Sequence, residues 1–309
     1  MQVDRRRFLI GSLGGVLGLA AAQPLAAAAW GQTAGSDLRR IPSSGQTVPA
    51  VGLGSWITFN VGDDPLLRDE SVEVMAAFVE EGGGMIDCSP MYGSSQDTIG
   101  YGLERLGRPD SVFSAEKVWT NAAGEGRAQI AETRRKWGLP RFDLLQVHNL
   151  VAWEGHLDTL FGMKAAGELG YVGITTSHGR RHDLLERIME TQPIDFVQLT
   201  YNVLDRDAED RLLPLAREKG IGVIVNRPFQ GGALTRRLRS APLPEALHEI
   251  GAETWAQAIL KYILSEPAVT VAIPATTQVA HLRDNKAAAR GPLPDPALRA
   301  QIVEQVRAL

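Results

Sequence analysis

The chain has 309 residues, 44% of them hydrophobic and 22% charged, with a formal net charge of -4 at pH 7. That is the composition of an ordinary globular protein, and its mildly acidic balance leaves no broad basic field for nucleic acid, which is excluded as a partner. The one cysteine, Cys88, cannot form an intrachain disulfide, so the fold must rest on its apolar core.

The N-terminus stands apart. Arg5, Arg6, Arg7, Phe8 and Leu9 precede an apolar, Gly- and Ala-rich run over 10–22, and small residues follow up to Ala29. This order reads as a cleavable signal over residues 1–29, cut near Ala28, with 30–37 left as a polar leader. A membrane span needs about 20 apolar residues, so no stable membrane anchor is expected; an uncleaved anchor is the alternative. The arginine pair followed by Phe8 and Leu9 resembles the twin-arginine export signal of bacteria, which implies a periplasmic location and the export machinery as a partner.

Next, two short apolar stretches over 38–42 and 47–52 flank the turn-forming Ser43-Ser44-Gly45-Gln46, which predicts a small hairpin. Eight strand candidates follow, at 51–53, 85–87, 112–115, 144–147, 172–174, 196–199, 223–225 and 269–273. Helical patterns alternate with them, at 71–81, 97–106, 126–137, 153–169, 182–191, 209–219, 255–265 and 279–289, and a terminal helix spans 295–308. Their apolar residues recur at three- and four-residue steps, as in Leu184, Leu185, Ile188 and Met189, so each helix buries one face. Apolar strands alternating with such helices predict a parallel sheet covered by helices, and eight units predict a closed (β/α)8 barrel over 38–309. No glycine-rich dinucleotide fingerprint follows the first strand, which argues against an open Rossmann sheet.

In such a barrel the chemistry collects at the C-terminal ends of the strands. Asp87 ends the second strand, Lys117 the third and His148 the fourth, and Tyr92 follows Asp87 within Ser89-Pro90-Met91-Tyr92-Gly93. Singly, each has a plain structural reading as a turn cap, a solvated strand end, a hydrogen-bonded histidine or a rim aromatic. Together, at adjacent strand ends, they make a candidate catalytic set. His178 and His182 lie four apart at a helix start without further ligands, so no metal site is expected.

From about residue 41 to residue 285 the chain resembles the aldo-keto reductase family. Val51-Gly52-Leu53-Gly54-Ser55-Trp56 is similar to the family's opening pattern, Asp87 to Gly93 matches its Asp-x-x-x-x-Tyr-Gly element, and Lys117 and His148 complete its tetrad. The resemblance implies an NAD(P)H-dependent oxidoreductase that reduces aldehydes or ketones to alcohols. Tyr92 is then the general acid, and Lys117 beside it is expected to draw its proton affinity toward working pH. Asp87 pairs with Lys117, and His148 orients the substrate oxygen and shares in proton relay.

For the cofactor, Gln198 matches the position that holds the nicotinamide carboxamide, Thr175 and Thr176 stand where the family has Ser-Asn, and Ser55 and Trp56 belong to the same wall. Arg227, Pro228, Phe229 and Gly232 resemble the pyrophosphate loop, with Arg227 either a phosphate ligand or a solvated rim residue. Asn226 departs from the family, which commonly places an aromatic there. Thr276, Gln278, His281 and Asn285 match the adenosine phosphate end, at a helix start suited to anions. Ala275 and His281 replace the Lys and Arg of many NADPH-preferring relatives, so NADPH and NADH both stay open, with a lean to NADPH on family habit. Trp56, Trp119 and Phe59 are expected to wall the substrate, core packing being the alternative for the tryptophans. The chain ends at Leu309 soon after its last helix, so an open mouth and broad selectivity are expected. Two other readings remain: a nicotinamide-binding sensory barrel with little turnover, and a sugar or osmolyte binding barrel without cofactor. The oligomeric state is not legible.

Overall fold

The structure is a computed structural model that describes residues 37–309; the expected signal at 1–29 and nearly all of the leader lie outside the described residues. Strands β1 (Leu38–Arg40) and β2 (Thr47–Pro49) pair antiparallel as the expected hairpin. Eight parallel strands follow: β3 (Leu53–Gly54), β4 (Gly84–Asp87), β5 (Val112–Val118), β6 (Phe142–Val147), β7 (Leu169–Thr175), β8 (Phe196–Thr200), β9 (Gly222–Asn226) and β10 (Val269–Ala272). Each pairs with the next in sequence order. The parallel bridges Val51↔Ala272 and Gly54↔Ala275, with Gly52 N–H donating to the Ala272 carbonyl at 2.8 Å, join the last strand to the first and close the expected barrel.

Around it run α1 (Pro65–Glu80), α2 (Ser95–Arg105), α3 (Gly126–Trp137), α4 (Trp153–Ala165), α5 (His182–Thr191), α6 (Leu212–Lys219), α7 (Ala233–Leu238), α8 (Glu245–Glu249), α9 (Trp255–Leu264), α10 (Val279–Ala287) and α11 (Pro296–Ala308). Three helix boundaries and two added helices depart from the sequence reading for local reasons. α1 starts six residues early because Asp64 caps it, accepting from the Leu66 and Leu67 N–H groups, with Pro65 in its first turn. α4 stops at Ala165, since Gly167 at φ 74 turns the chain and Leu169 already pairs with Phe142 in the sheet. α6 begins at Leu212, because a helix reaching back to Glu209 would drive the Pro214 ring into the Asp210 carbonyl. α7 and α8, of six and five residues, are too short to show a helical period. Among the described residues no helix is long and apolar enough to cross a membrane.

Alternation along the strands positions the site. Met85, Phe113, Ala115, Leu144, Phe196, Ile224 and Val271 fill the barrel, and Ile41 and Val48 of the hairpin belong to the same apolar cluster. Two residues further along the same strands stand Asp87, Lys117, Gln146, Gln198 and Asn226, so the inward face changes from apolar to polar within one step of the pleat.

Outside the barrel, α2 crosses α3 at Gly100, where an added Cβ would stand 1.8 Å from the Lys136 carbonyl oxygen. Gly100→Ala must therefore push α2 away from α3 and is expected to cost about 2–3 kcal/mol. A urea midpoint that falls at unchanged slope is the check, and an unmoved midpoint would show that the crossing has room to spare.

Candidate active site

At the C-terminal mouth the strand ends bring Asp87 and Lys117 into contact. Lys117 Nζ donates to Asp87 Oδ2 at 2.6 Å and to the Cys88 carbonyl at 2.7 Å, and the two side chains are 0% and 3% exposed. Asp87 Oδ1 accepts from Gln198 Nε2 at 2.8 Å and Gln146 Nε2 at 3.4 Å. A carboxylate and an ammonium taken from water need this many partners to be tolerated.

Tyr92 sits over the pair, its ring centre 5.2 Å from Lys117 Nζ. The loop that carries it is pinned by short contacts: Tyr92 N–H donates to the Ser89 carbonyl at 3.0 Å, and Ser94 N–H donates to Asn60 Oδ1 at 2.9 Å. Gly93, at φ 61, leaves no room for a side chain against Asn60. His148 is edge-on to Tyr92 at 5.7 Å between ring centres, and Ser89 Oγ meets His148 Nδ1 at 2.6 Å. Thus the four expected catalytic residues share one mouth.

Their proton affinities diverge. Burial by itself lowers the proton affinity of Lys117, but the Asp87 carboxylate and then Tyr92 outweigh it, and the ammonium is held above its ordinary value. Burial pushes the Tyr92 phenol up, and the opposing pull of Lys117 is smaller, which corrects the expectation that Lys117 brings Tyr92 toward working pH. The phenol therefore stays protonated, the form a general acid needs. Burial, reinforced by the nearby Lys117 charge, lowers His148 to about 3, so this ring is neutral at working pH.

A cavity of about 770 Å3 opens above these residues. Trp56, Thr175, Thr176, Gln198, Asn226, Arg227, Pro228, Phe229, Gly232, Thr276, His281 and Asn285 all line it, as does the buried Ser55, whose Oγ donates to the Asp87 carbonyl at 2.8 Å. Thr175 Oγ1 accepts the Asn149 N–H at 3.3 Å, whereas Thr176 Oγ1 is buried without a hydrogen-bond partner. Asn226 is fully occupied: its Oδ1 accepts from Thr200 at 2.6 Å, and its Nδ2 donates to the Thr176 carbonyl at 2.8 Å and to Gln198 Oε1 at 3.4 Å. Where the family has a stacking aromatic, this chain laces three strand ends together. Beyond it, Arg227, Gln230, Gly231 and Gly232 all adopt positive φ, a strained loop of the kind that persists at ligand sites.

Three expected residues fall elsewhere. Phe59 is 1% exposed in the core between barrel and helices, because the turn after Trp56 carries it inward, so it does not wall the substrate. Gln278 lies outside the cavity as the exposed N-cap of α10, its N–H held by Thr276 Oγ1 at 3.0 Å. Trp119 stands on the rim, 6.4 Å from the His148 ring, rather than in the wall. Missed by the sequence reading were Gln146 and Ser89, which strand parity with Leu144 and Asp87 would have indicated, and the exposed rim residues Ile57 and Met91, which carry no local signal. Among the described residues no group of three or more His, Cys, Asp or Glu side chains is placed to hold a metal ion.

Behind Lys117, Glu116 faces away from the barrel interior, fully buried, its Oε1 accepting from Gln96 Nε2 at 2.8 Å. Burial raises its carboxyl from 4.5 to about 7. The fold therefore keeps a proton that the unfolded chain has released between those values, so stability falls as pH rises through 4.5 to 7 and is flat above. At 1.36 kcal/mol per pH unit the full loss is about 3 kcal/mol. The stability difference between wild type and Glu116→Gln should shift by about that amount, against the wild type, between pH 5 and pH 8 in denaturant titrations; a difference that does not move with pH would place the charge elsewhere.

Residues 50–300 match the model of the Aldo/keto reductase family. Methylglyoxal reductase YeaE of Escherichia coli (strain K12) is 28% identical over 258 residues, 78% of this chain and 85% of that protein. Aldo-keto reductase YhdN of Bacillus subtilis (strain 168) is 26% identical over 216 residues, and the match spans 64% of this chain but only 63% of that relative's length. An aldo-keto reductase from Klebsiella pneumoniae, solved in complex with NADPH, shares the fold with a TM-score of 0.70 at 21% identity, over 88% of this chain and 95% of its own. With the family match running over most of its length and the family's tetrad gathered at the mouth of the barrel, the chain belongs to the aldo/keto reductase family.

Proposed function

We propose that this chain reduces aldehydes or ketones with apolar bodies to alcohols, using NAD(P)H, with Tyr92 as the proton donor. The observation that carries the reading is Tyr92 lying over a buried Asp87–Lys117 pair at the floor of a cavity large enough for a dinucleotide. Relatives named as methylglyoxal reductases and a related structure holding NADPH agree with it. Thr175, Thr176 and Gln198 line the part of the cavity where the nicotinamide amide would sit, and Asn226 braces Thr176 and Gln198 through its own side-chain amide. Arg227, Pro228, Phe229 and Gly232 would take the pyrophosphate, and Thr276, His281 and Asn285 the adenosine end. The bound cofactor supplies the hydride.

The chain supplies the rest. Tyr92 gives its phenolic proton to the carbonyl oxygen as negative charge develops there, and the Lys117 ammonium stabilises the phenolate left behind. Asp87 keeps Lys117 charged and aimed, and in the oxidative direction the phenolate is the base. Exposed Trp56, Ile57, Met91 and Trp119 surround Tyr92 and His148, a rim suited to apolar substrate bodies and to shedding water. No observation favours the sensory reading. Discrimination between the two nicotinamides is expected to be small, since Ala275 and His281 offer little charge to a 2′-phosphate, and the lean to NADPH rests on family habit alone. Following export by the twin-arginine route, the protein would act in the periplasm with the cofactor it carried across.

Tyr92→Phe should lower kcat/KM for a generic aldehyde by about 10²- to 10⁴-fold while tryptophan fluorescence shows NADPH and NADH bound as in wild type; binding without turnover in either protein would instead support the sensory barrel. For export, cell fractionation of the full chain and of an Arg5→Lys/Arg6→Lys variant should move the mature protein from the periplasm to an uncut cytoplasmic form. Equal distribution of the two would remove the export proposal.

A further inference from the structure

Ser89 stands two residues past Asp87, and His148 two past Gln146, so the two meet one step above the ion pair. Ser89 is 0% exposed and His148 4%, and Ser89 Oγ lies 2.6 Å from His148 Nδ1. The same oxygen accepts the Met91 N–H at 3.2 Å. A hydroxyl has one proton and two lone pairs, and a neutral imidazole has one donor and one acceptor nitrogen. With one lone pair given to Met91, two arrangements remain. A proton on Nδ1 would point into the second lone pair and leave the serine proton buried with no acceptor among these contacts, at the full desolvation cost of that donor. A bare Nδ1 accepts the serine proton, and every group is used.

We propose that Ser89 is a positioning residue that holds His148 as the Nε2–H tautomer, so that His148 meets the substrate carbonyl only as a hydrogen-bond donor and Tyr92 is the sole proton source. With Nδ1 turned to Ser89, Nε2 is the nitrogen left to the cavity that His148 lines. The groups facing the ring agree. Lys117 repels a second positive charge, Tyr92 and Trp119 present ring surfaces, and the Asp87 carboxylate is spent on Lys117. Burial therefore keeps the imidazole neutral, and proton relay through it would require the Nδ1 site that Ser89 occupies. That replaces the relay role expected from the sequence.

The inference rests on the reductase reading for its kinetic consequence but not for its spectroscopic one. Full-length protein labelled with 15N-histidine, with His148→Gln to identify the signal among the six histidines, reports the tautomer directly. The expected result is a bare Nδ1 and a protonated Nε2, unchanged from about pH 5 to about pH 8. Ser89→Ala should admit the Nδ1–H form and lower kcat/KM about tenfold, the worth of roughly one hydrogen bond, with nicotinamide affinity unchanged. Ser89→Thr, which keeps the hydroxyl, should restore the tautomer. A protonated Nδ1 in the wild type overturns the proposal, as does a Ser89→Ala protein with the wild-type tautomer and kcat/KM within about twofold. A wild type that reduces no aldehyde would fail the reductase reading while the spectra still decide the role of Ser89.

Discussion

Asp87 and Lys117 meet at 2.6 Å in a place with almost no access to water, and the upper half of the barrel is arranged around the cost of putting them there. Each ion gives up several kcal/mol of hydration, and their mutual attraction returns it only if the remaining lone pairs and protons are also used. The partners that do so come from different strands: the Cys88 carbonyl from beside Asp87 itself, Gln146 from β6 and Gln198 from β8. An open sheet would not bring Gln198 to Asp87, 111 residues earlier. Closure of the barrel and survival of the ion pair are thus one requirement, and Tyr92 takes its chemical character from lying over the result.

Below this polar layer the barrel is filled with apolar side chains to which the N-terminal hairpin contributes Ile41 and Val48, so the interior is a packed core and the cavity described above opens at its upper mouth. Above it, the walls are held by side-chain hydrogen bonds between strand ends. Thr200, Asn226, Thr176 and Gln198 form one such lace, and Ser89 with His148 forms another. Both hold residues that line the cavity, Thr176 in the first and His148 in the second. Such bracing would suit the proposed chemistry, because donors act best when the groups that hold them cannot rearrange.

Strong periodicity made most of the architecture legible. Alternation of short apolar runs with helical patterns identified the barrel, and the positions of Asp87, Tyr92, Lys117 and His148 at or just past strand ends singled out the candidate set that the structure gathers at one mouth. Boundaries set by capping and by single prolines or glycines, as at Asp64, Pro214 and Gly167, were less visible because a window of apolar residues does not weigh one side chain that overrides it. The short helices α7 and α8 carry too few residues to show a period at all.

What the sequence determined by itself was which residues stand at the strand ends and hence which chemistry is available to this protein. Only the tertiary structure decided which of them remain free to act. The sequence places Gln198 to hold the nicotinamide carboxamide and Asn226 in place of a stacking aromatic, yet one supports Asp87 and the other ties three strands together. Phe59 and Trp56 are aromatic neighbours in sequence, but one is core and the other faces the mouth. Lys117 beside Tyr92 suggested an acidified phenol, and burial reversed the sign. In every case the deciding contact or the exclusion of water comes from residues far apart in the chain, which no local spacing records.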